Sequence, residues 1–364
     1  MVILHYAGIS DNHASGVSVV VPQIINSMRF TEQVALYNYG TECSAIQAPA
    51  VLLSSRAYSD DYHTFPQPFS HPDIVIFHSP FGLPRMTGIC KRLKKDRIPY
   101  VIVPHGCFSE AAMKKKWLKK RLAMALFFRQ AFANADAIQY LCENERGMSV
   151  VKHRSIIVPN GIEIPPAIDR RCESVRSIVF IGRKDIYHKG IDILIQGCAK
   201  IKSLLVSSGV TVRLYGPGDE AQNRTVSGMI SENGLDEVVI NMPGIFGGDK
   251  AEVLSSADLF VLTSRSEGQP IAVLEALSYS LPVLVTPGTG FFEEVKENHC
   301  GIPVELSTDQ IAEGIAKAVK NPEAMRSASK NAYSYACRAY SWDYVAALAS
   351  EKYQEVCDEK NRRV

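Results

Sequence analysis

The chain lacks several features that would assign its class directly. No apolar run approaches the 18 residues that a membrane-crossing helix requires. The first residues, Met1-Val2-Ile3-Leu4-His5-Tyr6, read as the start of a strand with no basic segment ahead of it, so no secretory signal is expected. Cysteines stand at 43, 90, 107, 142, 172, 198, 300, 337 and 357, scattered, odd in number and without a CxxC pair. That pattern excludes a disulfide framework and a zinc ribbon and suits the reduced thiols of a cytoplasmic protein. An excess of charge of one sign is also missing. Forty Lys and Arg against 38 Asp and Glu leave a formal net charge of +2, so nucleic acid is not an expected partner.

What is present is ordinary globular composition, with 46% hydrophobic and 21% charged residues, which argues against disorder. At roughly 150 residues per domain, 364 residues suggest two domains. Short apolar runs at 2–6, 34–38, 73–77, 99–103, 137–141 and 155–158 alternate with helical stretches, as in parallel α/β sheets. Pro159-Asn160-Gly161, two prolines at 165 and 166 and the charged run from Asp169 mark a linker near 160–175. Strands then resume at 177–181, 210–215, 238–241, 258–262 and 282–285, with helices expected over 190–206 and 270–279. Residues 342–358 have the spacing of a terminal amphipathic helix. The expected fold class is therefore α/β, with two Rossmann-like parallel-sheet domains, 1–165 and 172–340, facing a central cleft. Ligands should meet the carboxyl ends of the strands.

Four segments could carry chemistry. Residues 264–276, Ser-Arg-Ser-Glu-Gly-Gln-Pro-Ile-Ala-Val-Leu-Glu-Ala, put Glu267 on a loop and Glu275 inside the helix that follows. Carboxylates there can accept hydrogen bonds from ribose or sugar hydroxyls, and free helix N–H groups favour a phosphate. The bland alternative is a helix with a solvated Glu. Residues 178–190 deliver Arg183 into a loop after a strand, with Lys189-Gly190 expected to open the next helix. Two cations at such a place suit a diphosphate, although a solvated basic loop would read the same way. His105 follows a buried strand beside Gly106, and the Gly/Ser loop 8–18 ends the first strand. A dinucleotide-binding reading competes for Gly216-Pro217-Gly218-Asp219-Glu220-Ala221, with Asp236 twenty positions after Gly216. It is the weaker reading, because Asp236 precedes the second strand instead of ending it, and the fingerprint falls in mid-domain.

Together these segments resemble the retaining nucleotide-sugar glycosyltransferases of glycosyltransferase family 4, which have the GT-B fold. The resemblance covers nearly the whole chain in order: Gly16, the PHG of His105, VPNG at Asn160-Gly161, GRKD…HKG, LYGPG, SRSEGQPIAVLEA and PVLVTPGTG. It implies that the helix 342–360 packs back on the first domain. By resemblance, Arg183 and Lys189 grip the donor diphosphate and Glu275 the ribose. Glu267 and the backbone of Gly268, Gln269 and Pro270 hold the sugar, Gly216, Gly218 and Ile271 belong to the donor site, His105 contacts the sugar, and Gly16 a phosphate. Many members carry a Gly-Gly pair where this chain has Ser15-Gly16.

The implied activity moves a hexosyl unit, with retention, from a nucleotide-diphosphate sugar to a glycan or lipid-linked acceptor. The setting implied is cell-surface polysaccharide biosynthesis, such as capsule, O-antigen, exopolysaccharide or lipopolysaccharide. Without an Asp-x-Asp, no metal and no cofactor are expected, the nucleotide sugar being a co-substrate. The alternatives are a nucleotide-sugar epimerase of the same fold and a binding protein without turnover. Residues 113–124, with six basic positions among 114–121, are expected either to be a solvated face or to contact anionic membrane peripherally, at the inner face of the cell membrane.

Overall fold

The computed structural model describes residues 1–11, 16–41, 43–79, 83, 85–108, 129–170 and 173–362. The basic segment 113–124 therefore lies outside the described residues. The chain divides into two compact units, Met1–Gly161 with Trp342–Val364, and Ile162–Ser341.

The first unit is built on seven strands: β1 Val2–Ala7, β2 Gln33–Asn38, β3 Val51–Ser54, β4 Ile74–His78, β5 Tyr100–Val103, β6 Ala137–Tyr140 and β7 Ser155–Ile157. Their order is β3-β2-β1-β4-β5-β6-β7, and every neighbouring pair is parallel. Residues of β4, β5 and β6 are buried at every position. Parallel strands joined by crossover helices are covered on both faces, so runs such as Ile-Val-Ile-Phe carry no polar alternation. The helix Trp342–Arg362 returns to this unit. Its Tyr353 hydroxyl donates to Gln139 Oε1 at 2.7 Å, and Lys360 and Arg154 form ion pairs with Asp136 and Glu359 at 2.8 and 2.6 Å.

The second unit carries β8 Ser177–Ile181, β9 Thr211–Tyr215, β10 Val239–Met242, β11 Leu259–Leu262, β12 Val283–Val285 and β13 Gly301–Pro303. The order β10-β9-β8-β11-β12-β13 is again wholly parallel. Each sheet reverses direction of growth once, between β1 and β4 and between β8 and β11. Loops leaving neighbouring strands diverge there and leave a crevice at the carboxyl ends. These are the two parallel-sheet α/β domains of the GT-B fold.

Two strands give no signal in the sequence. Edge strand β3 is only partly covered, and β13 is the three residues Gly-Ile-Pro. Both owe their conformation to the neighbour they pair with, since β propensity mostly measures packing on an existing sheet. The single helix expected over 190–206 is two, Ile191–Lys200 and Lys202–Ser207.

The stretch expected to be a linker is fastened to the second unit by the Ile168 N–H on Ser280 Oγ, the Tyr333 hydroxyl on the Pro165 carbonyl and, with the most bonds, the Arg170 side chain. The Arg170 guanidinium donates to the carbonyls of Ser280 at 2.8 Å, Tyr279 at 2.9 Å, Leu254 at 2.5 Å and Ala257. Those carbonyls end the helices Gly247–Ser256 and Ile271–Ser278, where four C=O groups lack intrahelical partners. We expect Arg170→Met to lower the stability of the second unit by about 2–3 kcal/mol, as for lost hydrogen bonds to a charged group. An unchanged urea midpoint would show that water replaces these bonds without cost.

Candidate active site

At the β8–β11 switch point the second unit gathers its charged loops. Arg183 leaves β8 exposed and, among the described residues, makes no ion pair. Its neighbour Lys184 turns inward and is buried, donating to Asn223 Oδ1 at 2.7 Å and the Met242 carbonyl at 2.6 Å. Burial pushes the Lys184 ammonium below its ordinary pKa. The two side chains thus divide the work: Lys184 ties the loop to the sheet and Arg183 faces outward.

Lys189 does not open a helix, as the sequence suggested. It ends the short helix Ile186–Lys189, capped by Asp185, and Gly190 turns the chain at φ 64° into the next one. A Cβ on Gly190 would lie 1.9 Å from the Thr263 carbonyl, so only glycine lets this turn approach the end of β11. That approach brings Lys189 Nζ to 2.5 Å from Glu267 Oε1, with the two side chains 14% and 17% exposed. Ser264 Oγ donates to the same oxygen at 2.7 Å, and the Glu267 backbone N–H donates to the Gly288 carbonyl at 2.8 Å. Glu267 is therefore held by its side chain and by its backbone. Arg265 forms a two-pronged pair with Asp192 at 2.8 and 2.7 Å and lies over the Tyr187 ring at 4.3 Å, fixing the outer side of the loop.

Pro270 begins the helix Ile271–Ser278, and no side chain caps it. Its first N–H groups and positive dipole end are available to an anion. Glu275, one turn further in, pairs with Lys250, a residue the sequence reading did not single out. Gly216 packs so closely on the loop after β8 that a Cβ would lie 1.7 Å from the Gly182 carbonyl, and Gly218 packs on the Lys184 stem. The rival dinucleotide reading gains nothing here. Asp236 precedes β10 and accepts a bond from Ser231 Oγ at 2.6 Å.

The first unit places His78 at the end of β4, beside its own switch point, and His105 one strand further on. His105 follows β5 in a left-handed turn with φ 48°. The turn is held by buried Glu145, whose carboxylate accepts the Gly106 and Leu141 N–H groups at 2.5 and 2.7 Å. Burial raises the Glu145 pKa, and those two bonds pull it back. His105 is not isolated. Its Nε2 lies 3.0 Å from His78 Nδ1, and His78 Nε2 lies 2.9 Å from His5 Nδ1. The rings stack in sequence at 5.3 and 5.2 Å. His78 and His105 line a cavity of about 20 Å³ with Gln139, Asn160, Trp342 and Tyr353. Gly16 opens the helix Gly16–Met28 on the exposed surface, and a Cβ there would meet nothing within 4 Å.

Residues 170–335 match the family model described as glycosyl transferases group 1. Over 292 residues the chain is 24% identical to a glycosyltransferase of Methanocaldococcus jannaschii, covering 78% of this chain and 76% of that one. Among the first curated relatives, the aligned share falls as low as 41% of the relative's length. In structure, the chain is similar to Anabaena HepE in complex with UDP, with a TM-score of 0.73, 16% identity and coverage of 98% and 100% of the two chains. WaaG, a glycosyltransferase involved in lipopolysaccharide biosynthesis, gives 0.61 at 17% identity, covering 98% and 99%.

Within the second unit the structure brings Arg183, Lys189, Glu267, Gly268, Gln269 and Pro270 to the carboxyl ends of β8 and β11. Lys184 and Lys250 escaped sequence reasoning because nothing local separates a buried or paired lysine from a solvated one. His5 and His78 did leave a signal: each interrupts or closes a run, Val-Ile-Leu-His-Tyr and Ile-Val-Ile-Phe-His, where a doubly covered strand should be apolar.

Burial lowers His5 to about 3 and His105 to about 4, and holds His78 well below the ordinary value of 6.5. All three rings are therefore neutral at neutral pH. Below pH 6.5 an unfolded histidine binds a proton that these rings refuse, so stability should fall as pH falls through that window. Each ring contributes about 1.4 kcal/mol per pH unit there. Urea unfolding of the first unit at neutral and mildly acid pH checks this. A His5→Leu variant should show a flatter dependence, and an equal slope would mean that the buried rings are not its source.

Proposed function

We propose that the chain transfers a hexosyl unit from a nucleotide-diphosphate sugar to a glycan or lipid-linked acceptor, with retention and without a metal. The observation that carries this reading is the Lys189–Glu267 pair, together with an exposed Arg183 that makes no ion pair among the described residues, at the switch point of the second unit. Arg183 and Lys189 would neutralise the donor diphosphate. Glu267, with the backbone of Gly268, Gln269, Pro270 and Ile271, would hold sugar hydroxyls, and Glu275 the ribose. Gly216 and Gly218 would line the donor site, His105 would contact the transferred sugar, and Gly16 a phosphate. The likeness to UDP-bound HepE supports a nucleotide-sugar donor, and the likeness to WaaG supports a setting in surface polysaccharide biosynthesis.

The chemistry follows from charge. As the glycosidic bond to the diphosphate breaks, positive charge grows on the sugar and negative charge on the leaving group. Fixed cations and helix N–H groups already aimed at that leaving group stabilise the transition state without rearranging. In front-face attack the departing phosphate oxygen takes the acceptor hydroxyl proton, so no protein nucleophile is required. No resident cofactor enters the scheme. Among the described residues no helix is long and apolar enough to cross a membrane. The basic segment 113–124 is proposed to contact anionic lipid peripherally.

Arg183→Met and Lys189→Met should each lower kcat/KM roughly 10²- to 10³-fold, the cost of one electrostatic contact to developing charge. Activity should survive chelation. Complete loss in EDTA with rescue by manganese would overturn the metal-free reading, and wild-type turnover in Glu267→Ala would remove Glu267 from the site. For the lipid contact, changing Lys115, Lys116, Lys119 and Lys120 to Glu should abolish salt-sensitive sedimentation with anionic vesicles. Equal, negligible sedimentation of both proteins would leave a soluble acceptor.

A further inference from the structure

The three histidines of the first unit form a chain with one open end and one closed end. His5 lies within β1, where its neighbours in register are Leu36 of β2 and Ile76 of β4, and it is fully buried. Its Nδ1 meets His78, but its Nε2 is buried and has no hydrogen-bond partner among the described residues. At the other end, among the described residues, His105 is engaged through Nε2 alone, and the ring is half-buried beside the small cavity.

Three neutral imidazoles share two hydrogen bonds, which leaves two coherent arrangements of protons. In one, every ring donates from Nδ1: His5 to His78, His78 to His105, and His105 outward. In the other, every ring carries its proton on Nε2, and the last proton sits on His5 Nε2. The closed end separates them. A buried N–H needs an acceptor, and the carbonyls beside His5 are committed to the β1–β2 and β1–β4 ladders. A bare ring nitrogen can instead be met by the C–H groups of an apolar core. The dead end at His5 thus favours the first arrangement.

We propose that His5 and His78 are positioning residues that fix His105 in the tautomer bearing its proton on Nδ1, presenting a neutral hydrogen-bond donor at the open end of the chain. The use of that donor on a sugar hydroxyl rests on the function proposed above; the tautomer itself does not. A free histidine in water favours the proton on Nε2, so the imposed state is distinguishable. His78→Leu would remove the donor to His105 Nε2, whereas His78→Asn would keep an amide N–H close to where Nδ1 stood.

The test is a long-range proton–nitrogen correlation spectrum of the full chain labelled with nitrogen-15 at histidine, at neutral pH. The expected result is a protonated Nδ1 and a bare Nε2 for His105 in the wild type and in His78→Asn, and a shift toward protonated Nε2 in His78→Leu. A protonated Nε2 on His105 in the wild type overturns the proposal, whether or not either variant folds. Transfer assays then separate the two readings. His78→Leu should lower kcat/KM roughly ten- to a hundredfold, as for groups that orient a functional side chain from behind, and His78→Asn should restore most of it. Full transfer in His105→Ala would instead remove His105 from the reaction and leave the spectrum standing.

Discussion

Everything in this molecule follows from the burial of parallel strands on both faces. Parallel neighbours cannot be joined by a tight turn, so each connection is a crossover that covers one face of the sheet. Once both faces are covered, a side chain on a strand has no route to a ligand. Polar chemistry is pushed to the strand ends, and the switch points β1/β4 and β8/β11 are where diverging loops leave room for it. Arg183, Lys189 and Glu267 occupy one of these places. The histidine chain begins beside the other.

At the strand ends, the second constraint is that a partly buried charge must have a partner. Lys189 and Glu267 are each less than one-fifth exposed and satisfy one another, with Ser264 as a further donor. A pair of this kind adds little to stability, because desolvation offsets much of the attraction. Its effect is geometric: each group fixes the position of the other at the end of the strand. Arg183 stays outward because its neighbour Lys184 supplies the inward contacts. Adjacent cations in one loop thus point opposite ways, Lys184 inward to the sheet and Arg183 outward to solvent.

In the first unit, the polar intrusion runs the other way, from the surface into the core. Glu145 holds the turn at His105 through two backbone N–H groups, and His78 and His5 carry the polar line inward to a nitrogen with no partner among the described residues. Burial keeps these rings neutral, and neutrality makes the direction of each hydrogen bond a structural property instead of a solvent average.

The sequence alone determined the α/β class, the break near residue 160 and the loops that could face a ligand, because apolar runs, turn residues and cations after strands are local signals. The motifs around Arg183, Glu267 and His105 were legible for the same reason. Tertiary structure decided the rest. Strands β3 and β13 exist because a neighbour supplies half of their hydrogen bonds. Arg170 turns an apparent linker into a brace because the carbonyls it meets come from helices more than eighty positions away. Lys250 meets Glu275, and His5 meets His78, across 25 and 73 residues. Sequence spacing carries no trace of such pairings, since they are set by which loops the sheet order brings to the same edge.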